Sequence, residues 1–274
     1  MIFISLATCS IAPLIDQVLD SLFENTTLPF TLSIFDNYSL DNTVEKINTK
    51  LVQYKDKIST NRCKVHFYNS LTRTPSINCI NSSFIPYFES EDQYSMVCKL
   101  DHDYCLPKNW DLVLTDLFLR YPDLQLLSPS VDPSTPKGMQ YYSQGHLPEQ
   151  ISRLPISPIL GTGSPVEIYH YTGIAGYCHC FRPSILNRLK EYRAMNVGAV
   201  FGSEDADWSL RCGNMPQKGY ITSLQGFHLD KPDIGTLEGK WKGEATFLKT
   251  FVTLEEYLKA NLSEEEYNKQ GFSI

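Results

Sequence analysis

Four short apolar runs alternate with segments of helical periodicity early in the chain, and this alternation constrains the fold more than any other feature. Short runs rich in Ile, Val and Phe are typical of buried strands, whereas apolar residues recurring every third or fourth position are typical of helices. The alternation predicts an α/β fold with a mostly parallel central sheet flanked by helices. The predicted strands span 2–7, 30–35, 64–68 and 94–98, and the helices between them span 11–28, 44–54 and 75–88.

Two acids, Asp101 and Asp103, follow directly after the fourth apolar run. An apolar helical pattern then runs from Trp110 to Tyr121, so we predict a strand, a short loop and a helix capped near Asn109. Ligands of α/β sheets bind at the carboxyl ends of the strands. Two carboxylates there supply hard oxygen ligands for a divalent cation that also holds phosphate oxygens. The alternative interpretation is that both acids only belong to a turn.

Prolines and glycines crowd the region from Ser128 to Pro165 and break any long helix. A connection of this length is usually a binding loop, a lid or a disordered insert. Strands are predicted at 166–171, 177–181 and 219–224, and helices at 183–192 and after Ser203. These elements complete one domain, 1–235, and a short helical C-terminal extension follows at 236–274.

The composition is that of an ordinary globular protein, with 42% hydrophobic and 20% charged residues. A net charge of -7 excludes a global basic field for nucleic acid, although a local basic patch stays open. No run approaches the ~20 apolar residues of a membrane span, and the strand-like start lacks the features of a signal peptide. We therefore expect a soluble protein without a transmembrane segment.

The eight cysteines form no Cys-x-x-Cys pair and lie in apolar contexts. This usage indicates buried thiols in a reducing compartment, so we expect a cytoplasmic location. A zinc site at Cys178-His179-Cys180 is disfavoured, because alternation along a strand directs the two sulfurs to one face and the imidazole to the other.

Five features occur in one order along the chain: Thr8, the loop from Asp36 to Thr43, Asp101-His102-Asp103, Gly202-Ser203-Glu204-Asp205-Ala206-Asp207, and His228. This order resembles family 2 glycosyltransferases, which have the nucleotide-sugar-binding GT-A fold. The resemblance covers about positions 2–233 and implies a single GT-A type, Rossmann-like domain, with a nucleotide-binding half at 1–104 and an acceptor loop region at 128–172. The sequence departs from the family in the first loop, at positions 8–13, where a polar Asn-like residue is usual.

The resemblance implies a binding site for the nucleotide sugar. Asp36 would accept a hydrogen bond from the base, which favours UDP- or GDP-linked donors because uracil and guanine carry a ring N–H. Thr8 would line the base pocket, and Asp41 would either bind in the same motif or only cap the next helix. Arg73 would lie near the base or the diphosphate, unless it is a solvated surface arginine. Asp101 would contact the ribose or the metal.

The resemblance also implies a divalent cation, Mn²⁺ or Mg²⁺, on the diphosphate. Asp103, His228 and Asp101 would hold it. An imidazole among oxygen ligands suits manganese somewhat better than magnesium. A lone histidine is otherwise more often structural.

On the acceptor side, Asp205 would act as the general base that removes the hydroxyl proton, and one in-line attack would invert the anomeric centre. Glu204, Gly176 and Trp241 would bind the acceptor. The competing interpretation is that the acids only favour the dipole of a helix start.

The implied activity is a metal-dependent, inverting transfer of a single sugar from a nucleotide diphosphate sugar to a hydroxyl acceptor. A Gln-x-x-Arg-Trp motif, typical of processive synthases, is absent from the sequence. A glycan is the expected acceptor, and a hydroxymethylated DNA base is the alternative. The basic residues that could then contact phosphates are Lys231, Lys240, Lys242 and Lys249.

Two other functional classes stay open at this point. A nucleotidyltransferase would share the sheet and the metal-binding acids, but it should show a glycine-rich, basic loop after the first strand, and positions 8–13 contain neither glycine nor a basic residue. A non-catalytic sugar- or nucleotide-binding module would have no need of Asp205.

Overall fold

The computed structural model of the chain describes residues 1–60, 62–72, 74, 76–132, 150–156, 165–171, 173–193 and 204–229. Within these ranges ten strands form a single sheet. The strands are β1 (Ile2–Thr8), β2 (Phe30–Asp36), β3 (Cys63–Asn69), β4 (Met96–Asp101), β5 (Tyr104–Cys105), β6 (Leu126–Val131), β7 (Gln150–Leu154), β8 (Val166–His170), β9 (Cys178–Phe181) and β10 (Lys218–His228).

Helices cover both faces of this sheet. The helices described are α1 (Ile15–Asn25), α2 (Thr43–Gln53), α3 (Lys55–Ser59), α4 (Ser76–Ser83), α5 (Ile85–Glu89), α6 (Trp110–Arg120), α7 (Pro183–Leu189) and α8 (Glu204–Cys212), and a single 3-10 turn lies at Met215–Gln217. None of these helices is both long and apolar enough to cross a bilayer.

The strand order is β3-β2-β1-β4-β9-β6-β10-β8-β7, and β5 pairs separately with β10. The pairs among β3, β2, β1 and β4 are parallel, which confirms the predicted α/β core. Thr8 lies beside Asp36 and Ala7 lies beside Asp101, so the loops after β1, β2 and β4 leave the sheet at one edge.

The second part of the sheet is mixed. β9 runs antiparallel to both β4 and β6, whereas β10 is parallel to β6 and antiparallel to β8. β10 extends to His228, four residues beyond the predicted end at position 224. This extension reaches the loop that follows β4, so it contributes directly to the candidate site.

Two predicted helices and one predicted cap differ from the structure. The helix predicted at 75–88 is two helices that meet at Phe84, because Pro86 in the first turn of α5 cannot donate a backbone hydrogen bond. The first helix begins at Ile15 rather than at position 11. Asn109 does occupy the N-cap position of the helix that begins at Trp110, as predicted, but its φ of 60° is left-handed and its side chain makes no capping hydrogen bond.

The loop predicted to begin at Ser128 begins later, because Ser128–Val131 belongs to the buried strand β6. Pro129 lies within this strand beside Ile221, where the register with β10 shifts. Proline in a sheet is confined to such irregular pairings, so its presence concealed the strand. β7 and β8 also lie inside 128–172, whereas 133–149, 157–164 and the extension at 236–274 lie outside the described residues.

Candidate active site

The carboxylate of Asp36 joins the loops that follow β1 and β2. Thr8 Oγ1 donates a hydrogen bond to Asp36 Oδ1 at 2.9 Å. The hydroxyl and the backbone N–H of Ser39 also donate to this carboxylate, at 2.5 and 2.9 Å. Both Asp36 and Thr8 are buried. A carboxylate has about four acceptor positions, so the three protein donors leave one of them unfilled.

Asp41 holds the loop after β1 against the start of α2. Its Oδ2 accepts from the N–H of Ala12 at 3.0 Å, and its Oδ1 accepts from the backbone and hydroxyl of Thr43 at 3.0 and 2.5 Å. Thr43 Oγ1 accepts in turn from the N–H of Ile11 at 2.8 Å. Of the two roles predicted for Asp41, these contacts favour the one at the helix start.

Asp103 and His228 are buried side chains that two antiparallel strands bring together. β5 pairs with β10 so that His228 lies opposite Tyr104, and the N–H of Leu229 donates to the carbonyl of Asp103 at 2.7 Å. His228 Nε2 lies 3.7 Å from Asp103 Oδ1. This separation is too long for a hydrogen bond, but it suits two ligands that each lie about 2.1 Å from one cation. Asp103 and His228 therefore offer two ligand atoms that one divalent ion could share.

Asp101 ends β4 in contact with a buried lysine. Its Oδ1 lies 2.5 Å from Nζ of Lys99, and the Lys99 side chain is 3% exposed while that of Asp101 is 35% exposed. Burial lowers the pKa of Lys99, but the charges of Asp101 and of two acids at the start of α8 outweigh this effect and raise it. Lys99 is therefore a cation at neutral pH, and Asp101 is accessible to a ligand from solvent.

Gly176 connects Lys99 to Asp205. Its N–H donates to Asp205 Oδ2 at 3.0 Å, and its carbonyl accepts from Lys99 Nζ at 2.7 Å. A Cβ at this position would lie 2.9 Å from the Cβ of Asp205 and 3.3 Å from Lys99 Nζ. Only glycine leaves room for both side chains to approach its peptide groups.

The three acids in the first turn of α8 have different surroundings. Asp207 forms an ion pair with Arg211 at 2.5 Å, one helical turn away. Asp205 instead faces the Gly176 peptide, and Glu204 is half-buried near the charge of Lys99. A general preference for acids at a helix start does not account for the Asp205 contact, because Gly176 lies outside the helix.

Aromatic packing fixes α8 against the sheet. The ring of Trp208 stacks on Tyr192 with centroids 4.0 Å apart and packs on Phe181 at 5.0 Å. Ser209 Oγ exchanges two hydrogen bonds of 3.0 Å with the backbone of Ile174. The loop that contains Gly176 is thereby held to the helix that contains Asp205.

Comparison of the sequence with protein families and with curated proteins finds no match. Solved structures do match. PcManGT, a mannosyltransferase from Pyrobaculum calidifontis, aligns over 94% of this chain with 14% identity and a TM-score of 0.58. Residues 1–349 of S. aureus TarS align over 98% with 12% identity and a TM-score of 0.57. GalNAc-T7 aligns over 87% with 14% identity and a TM-score of 0.55. This chain has the GT-A fold.

The chain spans 63% of PcManGT, 68% of the TarS structure and 44% of GalNAc-T7. The PcManGT structure contains GDP-Man and Mn²⁺, one TarS structure contains UDP-GlcNAc, and the GalNAc-T7 structure contains UDP, GalNAc and Mn²⁺. At these identities the likeness establishes the GT-A fold alone.

A chain of contacts links one acid predicted on the donor side to one acid predicted on the acceptor side. Other predicted site residues lie outside the described residues. Asp101 at the end of β4 contacts Lys99, Lys99 contacts the carbonyl of Gly176, and the N–H of Gly176 contacts Asp205 at the start of α8. Arg73 and Trp241 lie outside the described residues, as do the candidate phosphate-binding lysines Lys231, Lys240, Lys242 and Lys249.

Strand alternation correctly separates His179 from the neighbouring sulfurs. The Sγ atoms of Cys98, Cys178 and Cys180 lie within 4.8 Å of one another in the core. On the other face, His179 Nε2 bonds to the carbonyl of Ile174 at 3.0 Å. Burial and the charge of Lys99 lower the pKa of His179 to about 3, so its ring is neutral.

The sequence interpretation missed Lys99. A lysine inside an apolar run is unusual, and strand alternation places it on the same face as Asp101, two residues later. These two observations together were the available signal.

Proposed function

We propose that this protein is an inverting glycosyltransferase, which moves a single sugar from a nucleotide diphosphate sugar to a hydroxyl of a glycan acceptor. The observation that carries the proposal is the link from Asp101 through Lys99 and Gly176 to Asp205 within a GT-A fold. It joins an acid suited to the donor side with an acid suited to the acceptor side.

The donor base would bind beside Thr8 and Asp36. The one acceptor position left on the buried Asp36 carboxylate suits a ring N–H, which supports UDP- or GDP-linked donors. The bound GDP-Man and UDP-GlcNAc of the structural neighbours agree with this choice.

Asp103, His228 and Asp101 would hold Mn²⁺ or Mg²⁺. When bound, such a cation neutralises the negative charge that develops on the departing diphosphate. The 3.7 Å between Asp103 Oδ1 and His228 Nε2 supports a shared ion, and Asp101 has the exposure needed to meet a ligand.

Asp205 would remove the proton of the acceptor hydroxyl as this oxygen attacks the anomeric carbon. A general base must lie within hydrogen-bonding reach of the proton it takes. The N–H of Gly176 and the packing of Trp208 orient this carboxylate before any acceptor arrives. Glu204, one residue earlier, would bind other acceptor hydroxyls. We further propose that the enzyme works in the cytoplasm, in keeping with its eight free cysteines.

The test is a panel of nucleotide sugars incubated with the full chain and Mn²⁺, without and with glycan acceptors. We expect one UDP- or GDP-linked donor to release nucleoside diphosphate in a metal-dependent manner, and the product to have the inverted anomeric configuration by NMR. Release of pyrophosphate from nucleoside triphosphates would instead identify a nucleotidyltransferase. Donor binding without any release would identify a binding module. Asp205→Asn is the matched control, since it should still bind the donor.

A further inference from the structure

Lys99 has the most unusual environment of the charged residues that the structure describes around the candidate site. Its side chain is 3% exposed, and its ammonium contacts Asp101 Oδ1 at 2.5 Å and the carbonyl of Gly176 at 2.7 Å. Burying a charge is costly unless it is paired and hydrogen-bonded. Both conditions are met here by groups of the candidate active site.

The two partners of Lys99 belong to opposite sides of the proposed reaction. Asp101 lies at the end of β4 on the donor side. Gly176 lies before β9, and its N–H donates to Asp205 Oδ2 at 3.0 Å on the acceptor side. One ammonium therefore connects two carboxylates that no continuous element of secondary structure joins.

We propose that Lys99 is a positioning residue, whose buried ammonium fixes Asp101 directly and Asp205 through the Gly176 peptide. This inference rests on the proposed function and adds a requirement to it: the donor and acceptor halves of the site keep their relative placement only while Lys99 is present. Lys99 itself touches neither substrate.

A second buried lysine provides a matched comparison. Lys218 is 2% exposed, and its ammonium donates to the carbonyl of Ser209 at 2.6 Å, near the C-terminal end of α8. Lys99→Met and Lys218→Met both remove a buried ammonium and keep an apolar side chain of similar length. Only the first removes a contact to Asp101 and Gly176.

The first measurement is the turnover of sugar transfer. Small misplacements of catalytic groups cost up to about 100-fold in rate, so we expect Lys99→Met to lower kcat by about 10- to 100-fold. Lys218→Met should lower the melting temperature but leave kcat of the folded protein unchanged. Equal kcat for wild type and Lys99→Met would overturn the proposal.

A double-mutant cycle with Asp205→Asn separates positioning from general structural damage. If Lys99 acts on turnover partly through Asp205, Lys99→Met should lower kcat by a smaller factor in the Asp205→Asn background than in wild type, because contacting residues are not additive. The loss that remains reports the direct contact with Asp101. A Lys99→Met loss of the same size in both backgrounds would show that Lys99 does not position Asp205, and the proposed link through Gly176 would be wrong.

Amide hydrogen exchange at Gly176 tests the geometry without any substrate. Lys99→Met should speed exchange of this N–H, and Lys218→Met should not. If wild type transfers no sugar from any donor but Gly176 exchange still depends on Lys99, the proposed function fails while the positioning role stands. Unchanged exchange in Lys99→Met would reject the positioning role.

Gly176→Ala is the alternative variant for this test if Lys99→Met does not fold. Its Cβ would lie 2.9 Å from the Cβ of Asp205 and 3.3 Å from Lys99 Nζ, so it separates the two side chains while both charges remain. We expect the same loss of kcat, and normal turnover in a folded Gly176→Ala protein would contradict the proposal.

Discussion

Asp103 Oδ1 lies 3.7 Å from His228 Nε2, and both side chains are buried. The pairing of β5 with β10 produces this relationship, since neither residue is near the other in sequence. A carboxylate and an imidazole at this separation can share one cation, whereas a direct hydrogen bond requires a shorter distance.

Replacing either residue of this pair should weaken metal-dependent donor binding. Removing a residue that only hydrogen-bonds to a metal ligand typically lowers metal affinity by about 10–100-fold. Removing a ligand itself should cost more, so we expect His228→Ala to lower the affinity by at least about 10–100-fold and Asp103→Ala to lower it by more than that. Calorimetry with the nucleoside diphosphate, with and without Mn²⁺, measures the effect.

His170→Ala is the control for this experiment. His170 is also buried, but it bonds to the carbonyl of Lys218 and to Ser152 Oγ, both at 2.9 Å, on a different part of the sheet. Its replacement should leave the metal dependence unchanged. An Asp103→Ala protein that binds nucleotide as tightly as wild type, with and without Mn²⁺, would contradict the assignment.

Asp36→Asn should weaken binding of UDP or GDP by about 10- to 100-fold, the cost of leaving a buried donor unpaired. The single amide oxygen has two acceptor positions in place of the four of the carboxylate, and the three protein donors of Asp36 compete for them, so none is left for a ring N–H of the base. Binding of CDP, whose base has no ring N–H, should change little. If UDP, GDP and CDP all lose affinity equally, Asp36 organises the loops and does not read the base.

The parallel core could be predicted because local sequence determines it. Each of the first four strands is a short apolar run, and parallel strands place the polar residues that follow them at one edge. Thr8, Asp36 and Asp101 were therefore predicted at the same edge, and the observed pairing of Thr8 with Asp36 agrees with this.

The remaining contacts depend on pairings between distant strands, which no local pattern reveals. β6 was hidden by Pro129, and the extension of β10 to His228 depends on its pairing with β5. The contact of Gly176 with Lys99 requires β9 to run beside β4. Residue types at these positions were visible in the sequence, but their proximity was not.

His179 should make stability fall in mild acid. Its folded-state pKa of about 3 lies below the ordinary value of 6.5, so the unfolded chain binds the proton more readily. Its contribution is therefore complete above pH ~6.5 and declines as pH falls toward 3, with a slope approaching ~1.4 kcal/mol per pH unit.

His179→Gln removes this titration and serves as the comparison. Between about pH 6.5 and 5, the free energy of unfolding of wild type should fall by about 1.6 kcal/mol more than that of the variant. Urea unfolding across this window measures both slopes, and most carboxylates stay ionised in it. Parallel pH profiles for the two proteins would show that folding does not lower the pKa of His179.

Asp205→Asn should separate the chemistry from the scaffold. The amide oxygen of asparagine can still accept from the N–H of Gly176, so the melting temperature and donor affinity should stay nearly unchanged. The proton acceptor is lost, and general-base contributions of ~100- to 10,000-fold predict a fall in kcat of that size. Glu204→Gln should instead raise the KM for the acceptor more than it lowers kcat.

Asp207→Asn is the control, because Asp207 lies in the same helical turn but pairs with Arg211. A helix-start role predicts that Asp205→Asn and Asp207→Asn each cost about 0.3–1 kcal/mol of stability and leave turnover intact. Steady-state kinetics on the three folded variants decides between these outcomes, since only a general base makes the Asp205 effect large and specific to kcat.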